Sequence, residues 1–219
     1  MKRASRGGRV ESLRRQARII LLLHGAANAG LCPISILALH AYAYLSNVLA
    51  PVWDMPVLDG KILKRKGGPF YPALQGDLDR LVGVGLVRIS HVTHVQDSEG
   101  RWRLEGRYEL HASMAAAALA FLLDQPDEAR VAGFVEELGY ALSVLSAAQL
   151  DRALVDDATY GNPEVSTNNV LDFGEWSRRN PSSAAANFFD ELLTEGAKTT
   201  PGEKLHLYVS HLRRRFAAG

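Results

Sequence analysis

Residues 101–110 read RWRLEGRYEL, and this stretch constrains the fold more than any other. Trp102, Leu104, Tyr108 and Leu110 alternate with Arg101, Arg103, Glu105, Arg107 and Glu109. A period of two marks a strand with one buried face and one wet face. The preceding GLVRISHVTHV, residues 85–95, is rich in β-branched residues and predicts the partner strand. QDSEG between them supplies turn chemistry. The spacing therefore predicts a hairpin whose apolar face needs cover, and most of the remaining chain offers helices to cover it.

Leu13, Ala17, Ile20, Leu21 and His24 recur at helical spacing and predict a helix over 10–28, after a frayed basic tail at 1–9. Gly30 stops that helix. Residues 33–49 predict a second helix, apolar around almost its whole circumference and so buried on most sides. The segment PVWDMPVLDGKILKRKGGPFYP, 51–72, has too many prolines and glycines for a helix and reads as irregular, partly extended chain. A third helix opens at Pro72 with Ala73, Leu74, Leu78, Leu81 and Val82 inward, and Gln75, Asp77, Asp79 and Arg80 outward. Three helices followed by a hairpin is the winged-helix order, predicted here for 10–110.

Residues 111–219 predict a helical extension packed on that unit. SMAAAALAFLL, 113–123, is a small-residue helix suited to close packing. Pro126, Asp127 and Glu128 open the next helix, with Val131, Phe134, Val135, Leu138, Leu142 and Leu145 as its stripe. A shorter helix follows from Ser146 to about Val155. Residues 156–174 read as a long loop, with Asp156 and Asp157 in a solvated turn. Phe188, Phe189, Leu192 and Leu193 mark another helix. Thr200 and Glu203 form a capping box for the last one, which carries Leu205, Tyr208, Val209, Leu212 and Phe216 and ends in Arg213, Arg214 and Arg215. The fold class is thus mainly α with a small β-hairpin.

The charge and cysteine content bound the function. The 219 residues carry a net charge of only +1, so attraction to nucleic acid has to come from local clusters. Cys32 is the single cysteine, which fits a reducing cytoplasm and makes neither an internal disulfide nor, alone, a zinc site. Basic residues ahead of IILLL imitate a signal peptide, but His24, Asn28, Gly30 and Pro33 break the apolar run. No stretch reaches the roughly 18 uninterrupted apolar residues of a membrane span, so no membrane partner is expected.

Phosphate-loop, dinucleotide and serine-hydrolase motifs are missing. Cys32 reads as a small apolar residue between buried helices, ahead of the alternative that it is a nucleophile. His91 and His94 lie three apart on a predicted strand, and His206 and His211 five apart on a helix. Neither spacing suits a metal. No catalytic residue, cofactor or metal is expected. For DNA, the outer face of the third helix is net negative and the hairpin turn carries Asp97 and Glu99, the wrong sign for a groove. Basic and aromatic residues concentrate elsewhere. Lys61, Lys64, Arg65 and Lys66 with Phe70 and Tyr71, together with Arg213, Arg214 and Arg215, are the candidate contacts to a protein partner or a nucleic-acid backbone.

RIILLLHGAANAG, MPVLDGKILKRKGGPFYPALQGDLDRLVGVGLVRI, RYELHASMAAAALAFL and the later YGNPEVSTNNVLDFGEWSRRNPSSAAANFFDELL occur in that order. Over most of residues 15–195 this pattern resembles the middle component of bacterial ABC-type three-component systems. The accessory subunit of Lamassu-type SMC-like defence complexes belongs to the same broad group. The resemblance implies a winged-helix-like fold with extra helices and a non-enzymatic adaptor, working beside an SMC-type coiled-coil ATPase and a separate effector, often a nuclease. ATP and nuclease chemistry would then lie in other chains, with DNA reached through the complex. The alternative is a winged-helix DNA-binding transcriptional regulator or antitoxin-like protein.

Overall fold

The computed structural model describes residues 6–56, 61–65, 68–96, 100, 102–152, 157, 159–160, 170–172, 180–192 and 199–218. In chain order the elements are α1 (Arg6–Asn28), β1 (Ile34–Ser35), α2 (Ile36–Leu49), a 3-10 turn (Ala50–Trp53), β2 (Lys61–Arg65), β3 (Gly68–Phe70), α3 (Pro72–Gly83), β4 (Val87–Gln96) and β5 (Trp102–Leu110). Then come α4 (Ala112–Leu123), α5 (Pro126–Leu142), α6 (Ala147–Arg152), β6 (Val170–Asp172), α7 (Pro181–Phe188), a second 3-10 turn (Phe189–Leu192) and α8 (Pro201–Ala218). Among the described residues the protein is mainly helical, with two small antiparallel sheets ordered β1-β5-β4 and β3-β2-β6.

Local chemistry explains most helix ends. α1 closes with Gly30 at φ +73, the Leu31 N–H donating to Ala26 O and the Gly30 N–H to Ala27 O. α3 closes in the same way at Gly85, φ +77, through Leu86 to Leu81 and Gly85 to Val82. In both, a left-handed glycine lets two backbone N–H groups satisfy the last carbonyls. Ser35 caps α2 by accepting from the Ala38 N–H. Thr200 and Glu203 exchange hydrogen bonds at the start of α8, the capping box read from the sequence.

α2 forms the centre. Every residue from Ala38 to Leu49 is buried, and the helix touches α1, α5, α6 and α7. α1 and α5 cross closely where Gly25 meets Gly139. A Cβ on either glycine would stand 2.9 Å from the Tyr42 hydroxyl, and one on Gly139 only 3.1 Å from Gly25 O. Tyr42 Oη fills this crossing by donating to Val135 O. The core continues through Leu74, Leu78 and Leu81 of α3 to Leu205, Tyr208, Val209 and Leu212 of α8, so it draws on both sides of residue 110. Among the described residues one helical stretch, Ile36–Trp53, is long and apolar enough by composition to cross a membrane, and 78% of it lies buried inside the protein.

The structure corrects several expectations. Residues 6–9 belong to α1 rather than a frayed tail. Part of the supposedly irregular 51–72 segment is a hairpin, and β6, inside the expected loop, pairs with it through Lys61–Asp172, Ile62–Leu171 and Leu63–Val170. The helix expected around Phe188 starts at Pro181, capped by Asn180, and tightens to 3-10 geometry from Phe189.

Candidate docking surfaces

The β4–β5 hairpin has the expected alternation but not the expected burial. One face runs from Val87 and Leu110 at the base, through Ile89 and Tyr108, to Leu104 and Trp102 at the tip, where His94 and Gln96 stand opposite them. Val87 is buried, and Tyr108 and Leu110 are half-buried. Leu104 is 64% exposed and Trp102 67%, with Val92 also exposed. The face that should be covered is therefore covered only at its base. Between Ser90 and Thr93 the register slips by one residue, and His91 there takes φ +50. Two residues of β4 oppose the single Gly106, which is the geometry of a β-bulge. The slip brings Val92 onto this face beside Ile89. A Cβ on Gly106 would stand 2.6 Å from Ile89 Cγ2 and 3.8 Å from Val92 Cγ2, so glycine is the residue that fits.

α4 forms a second uncovered apolar surface. It carries no charge, and Ser113 is its one side chain with a hydroxyl, yet only Ala115 and Leu122 are buried. Phe121 is 67% exposed and Met114 54%. Along its alanine side lies an open groove of about 450 Å³, with His24, Cys32 and Glu109 near Leu110.

Of the residues singled out in the sequence, Lys61, Lys64 and Arg65 lie on β2 and Phe70 on β3. Lys66 lies outside the described residues, as do Asp97 and Glu99 of the hairpin turn. Tyr71, by contrast, does not reach the surface of the described chain. It is buried, its ring stacks on His40, its N–H donates to His40 Nδ1 (3.3 Å), and its hydroxyl accepts from Asn47 Nδ2 (3.1 Å). Its place just ahead of α3 points it into the core. Arg213, Arg214 and Arg215 are exposed on α8. That helix packs on α5, α7 and the first 3-10 turn, whereas β2 pairs with β3 and β6.

Two carboxylates expected at the surface are buried. Asp77, expected on the outer face of α3, accepts from Ser12 Oγ (2.5 Å), Arg15 Nε (2.8 Å), Gln16 Nε2 (3.3 Å) and Arg80 Nη1 (2.5 Å). Burial raises its pKa, but these donors outweigh burial and hold the carboxyl below the usual range. The contact ties α1 to α3. It also removes Asp77 from the face that DNA would meet, leaving exposed Asp79 and Arg80 in balance.

Asp157, expected in a solvated turn, is buried among uncharged donors. Oδ1 accepts from Tyr208 Oη (2.6 Å) and Ser182 Oγ (2.8 Å). Oδ2 accepts from Tyr44 Oη (2.6 Å) and from the N–H groups of Thr159 (3.0 Å) and Tyr160 (2.9 Å). One carboxylate thus joins α2, α7 and α8. Burial first, and then the Asp157 charge, pushes the Tyr44 hydroxyl well above its ordinary pKa, so it stays a donor.

Cys32 is half-buried, its Sγ 3.6 Å from Leu23 O. Burial, reinforced by the Glu109 charge, pushes the thiol up to about 12, far from a ready thiolate. His206 Nε2 stands 2.9 Å from Glu137 Oε1, a pair on the α5–α8 contact. Among the described residues no three His, Cys, Asp or Glu side chains gather as a metal would require.

Sequence signals for the two buried aspartates were weak, because their partners lie 62 or more residues away for Arg15 and Ser12, and 51 to 113 away for Tyr208 and Tyr44. The exposed hairpin tip had a signal in its alternation, but exposure depends on what stands opposite. Comparison with known proteins finds no family model, no curated protein and no solved structure that matches this chain.

Proposed function

We propose that this chain is a non-catalytic, cytoplasmic adaptor that links an SMC-like ATPase to an effector, such as a nuclease, in an anti-phage defence complex. The observation that carries the docking role is the hairpin tip, where Trp102, Leu104 and Val92 are exposed together. Aromatic anchors set among aliphatic residues are the usual energetic centre of a protein contact. The order α1, β1, α2, α3, β4, β5 and the sheet order β1-β5-β4 support reading the first half as winged-helix-like. Its connection from α2 to α3 departs from a tight helical turn, because the β2–β3 hairpin is inserted there. The balanced Asp79 and Arg80 charges on α3 and the exposed Trp102 and Leu104 favour a protein partner over a DNA groove. The ATPase and effector assignment rests on the sequence resemblance.

Co-expression with the products of neighbouring genes tests the reading. The expected result is a stable complex that is lost with the double substitution Trp102→Ser and Leu104→Ser, while the isolated chain neither hydrolyses ATP nor cleaves DNA. Failure to co-purify with any neighbour sinks the adaptor. Sequence-specific DNA binding by the isolated chain, with a steep salt dependence, would instead establish the regulator reading.

A further inference from the structure

We infer that α4 is the two-fold contact of a homodimer, in which α4 of one protomer lies antiparallel on α4 of its partner. A helix apolar on all sides belongs in an interior, yet among the described residues α4 packs on α5 and, more thinly, on α1, and leaves Met114, Phe121 and Leu123 exposed. Met114, Ala117 and Phe121 fall at i, i+3 and i+7 and share one exposed stripe. Antiparallel pairing centred between Ala117 and Ala118 sets Met114 of one protomer against Phe121 of the other. The small residues at the centre let the two backbones approach. Large ends facing each other across a small middle make the stripe complementary to itself, which is what a two-fold interface requires.

The charges point to the same mate. α4 has no acidic residue in its first turn and no basic residue in its last, so its dipole is uncompensated at both ends by its own side chains. Instead, exposed Asp124 follows its negative C-terminal end, where a carboxylate is unfavourable, whereas Asp127 lies in the first turn of α5. At the N-terminal end lie His111 and the exposed guanidinium of Arg88, which also pairs with Glu109 (2.7 Å). An antiparallel mate brings Asp124 opposite His111 and beside the positive end of the other helix. The same symmetry carries each Asp124 from the negative end of its own helix to the positive end of the other, and a parallel arrangement would instead set the two Asp124 carboxylates and two negative helix ends side by side. The inference does not depend on the adaptor reading, which places its partner on the hairpin tip.

Analytical ultracentrifugation of the full chain over a wide concentration range tests it, because the 23.9 kDa mass should double as concentration rises. Phe121→Glu, an exposed position, should abolish the doubling while the far-UV circular dichroism stays unchanged. Geometry supplies a second readout. Helices packed about 8–10 Å apart, with Cα atoms about 2.3 Å from each axis, bring residues on the two-fold axis within disulfide reach. In a Cys32→Ser background, Ala117→Cys should therefore oxidise to a covalent dimer, and Asp127→Cys should not. A monomer at every concentration overturns the inference. So does a dimer that survives Phe121→Glu and leaves Ala117→Cys uncrosslinked, because its contact then lies on another face.

Discussion

α2 and α4 are both apolar around nearly their whole circumference, yet the protein treats them in opposite ways. α2 is enclosed, with Leu39, Tyr42, Tyr44, Leu45, Val48 and Leu49 all fully buried. α4 lies on the outside, with Met114, Phe121 and Leu123 open to solvent. Composition alone would send both to the interior. The difference lies in what the rest of the chain supplies. α2 has α1, α5, α6 and α7 around it, whereas α4 has α5 along one side and a thin contact with α1. α2 also carries polar atoms that only a specific interior can satisfy, such as Tyr44 Oη on Asp157 and Asn47 Nδ2 on Tyr71. α4 carries almost none. A helix without polar demands can be met by any matching apolar surface, including one on another molecule.

The contrast can be broken experimentally. Asp157→Ala should have the largest effect, because it removes the buried acceptor shared by the Tyr44, Tyr208 and Ser182 hydroxyls and the Thr159 and Tyr160 N–H groups. A loss of about 3–5 kcal/mol is expected from several buried donors losing their acceptor at about 1–3 kcal/mol each, read from the denaturant midpoint. Leu45→Ala on α2 should cost about 3 kcal/mol by the cavity it leaves, with an unchanged denaturant slope. Tyr44→Phe removes one donor to Asp157 and leaves its others, so about 1–2 kcal/mol is expected from the same titration. Phe121→Ala on α4 should change monomer stability by no more than about 0.5 kcal/mol. Measured at rising concentration, however, the native chain should gain thermal stability by mass action, and Phe121→Ala should not. If Phe121→Ala costs as much as Leu45→Ala in the monomer, α4 is a core helix and the contrast collapses.

How much could be read beforehand follows the range of each interaction. Gly30, Pro72 and the Thr200–Glu203 capping box act within a few residues, and the helix ends they predict are there. The stripe of α5 is also legible: Phe134, Val135, Leu138 and Leu142 are buried as their spacing requires, and Leu145 is buried just past the helix end. Periodicity shows which residues share a face, but not whether anything covers that face. Hence the hairpin pattern is right while the placement of Trp102 and Leu104 in the interior is not. Asp77 and Asp157 are further from reach, since a carboxylate looks solvated until a distant tyrosine or arginine is known to meet it. β6 is three residues long and exists through pairing with β2, so no local propensity announces it. Of the candidate contacts, Arg213, Arg214 and Arg215 are exposed as a surface role needs, whereas Tyr71 sits in the core.

The Asp157 junction also sets a timetable for the ribosome. Tyr44 emerges early, its acceptor comes 113 residues later, and Tyr208 follows a further 51 residues on. At the roughly 5–20 residues per second of protein synthesis, α2 waits on the order of ten seconds before its last neighbours exist. Throughout that interval α2 lacks part of its permanent cover. The yield of native protein is therefore expected to rise with chaperone supply, measured as the soluble fraction with and without co-expressed chaperones.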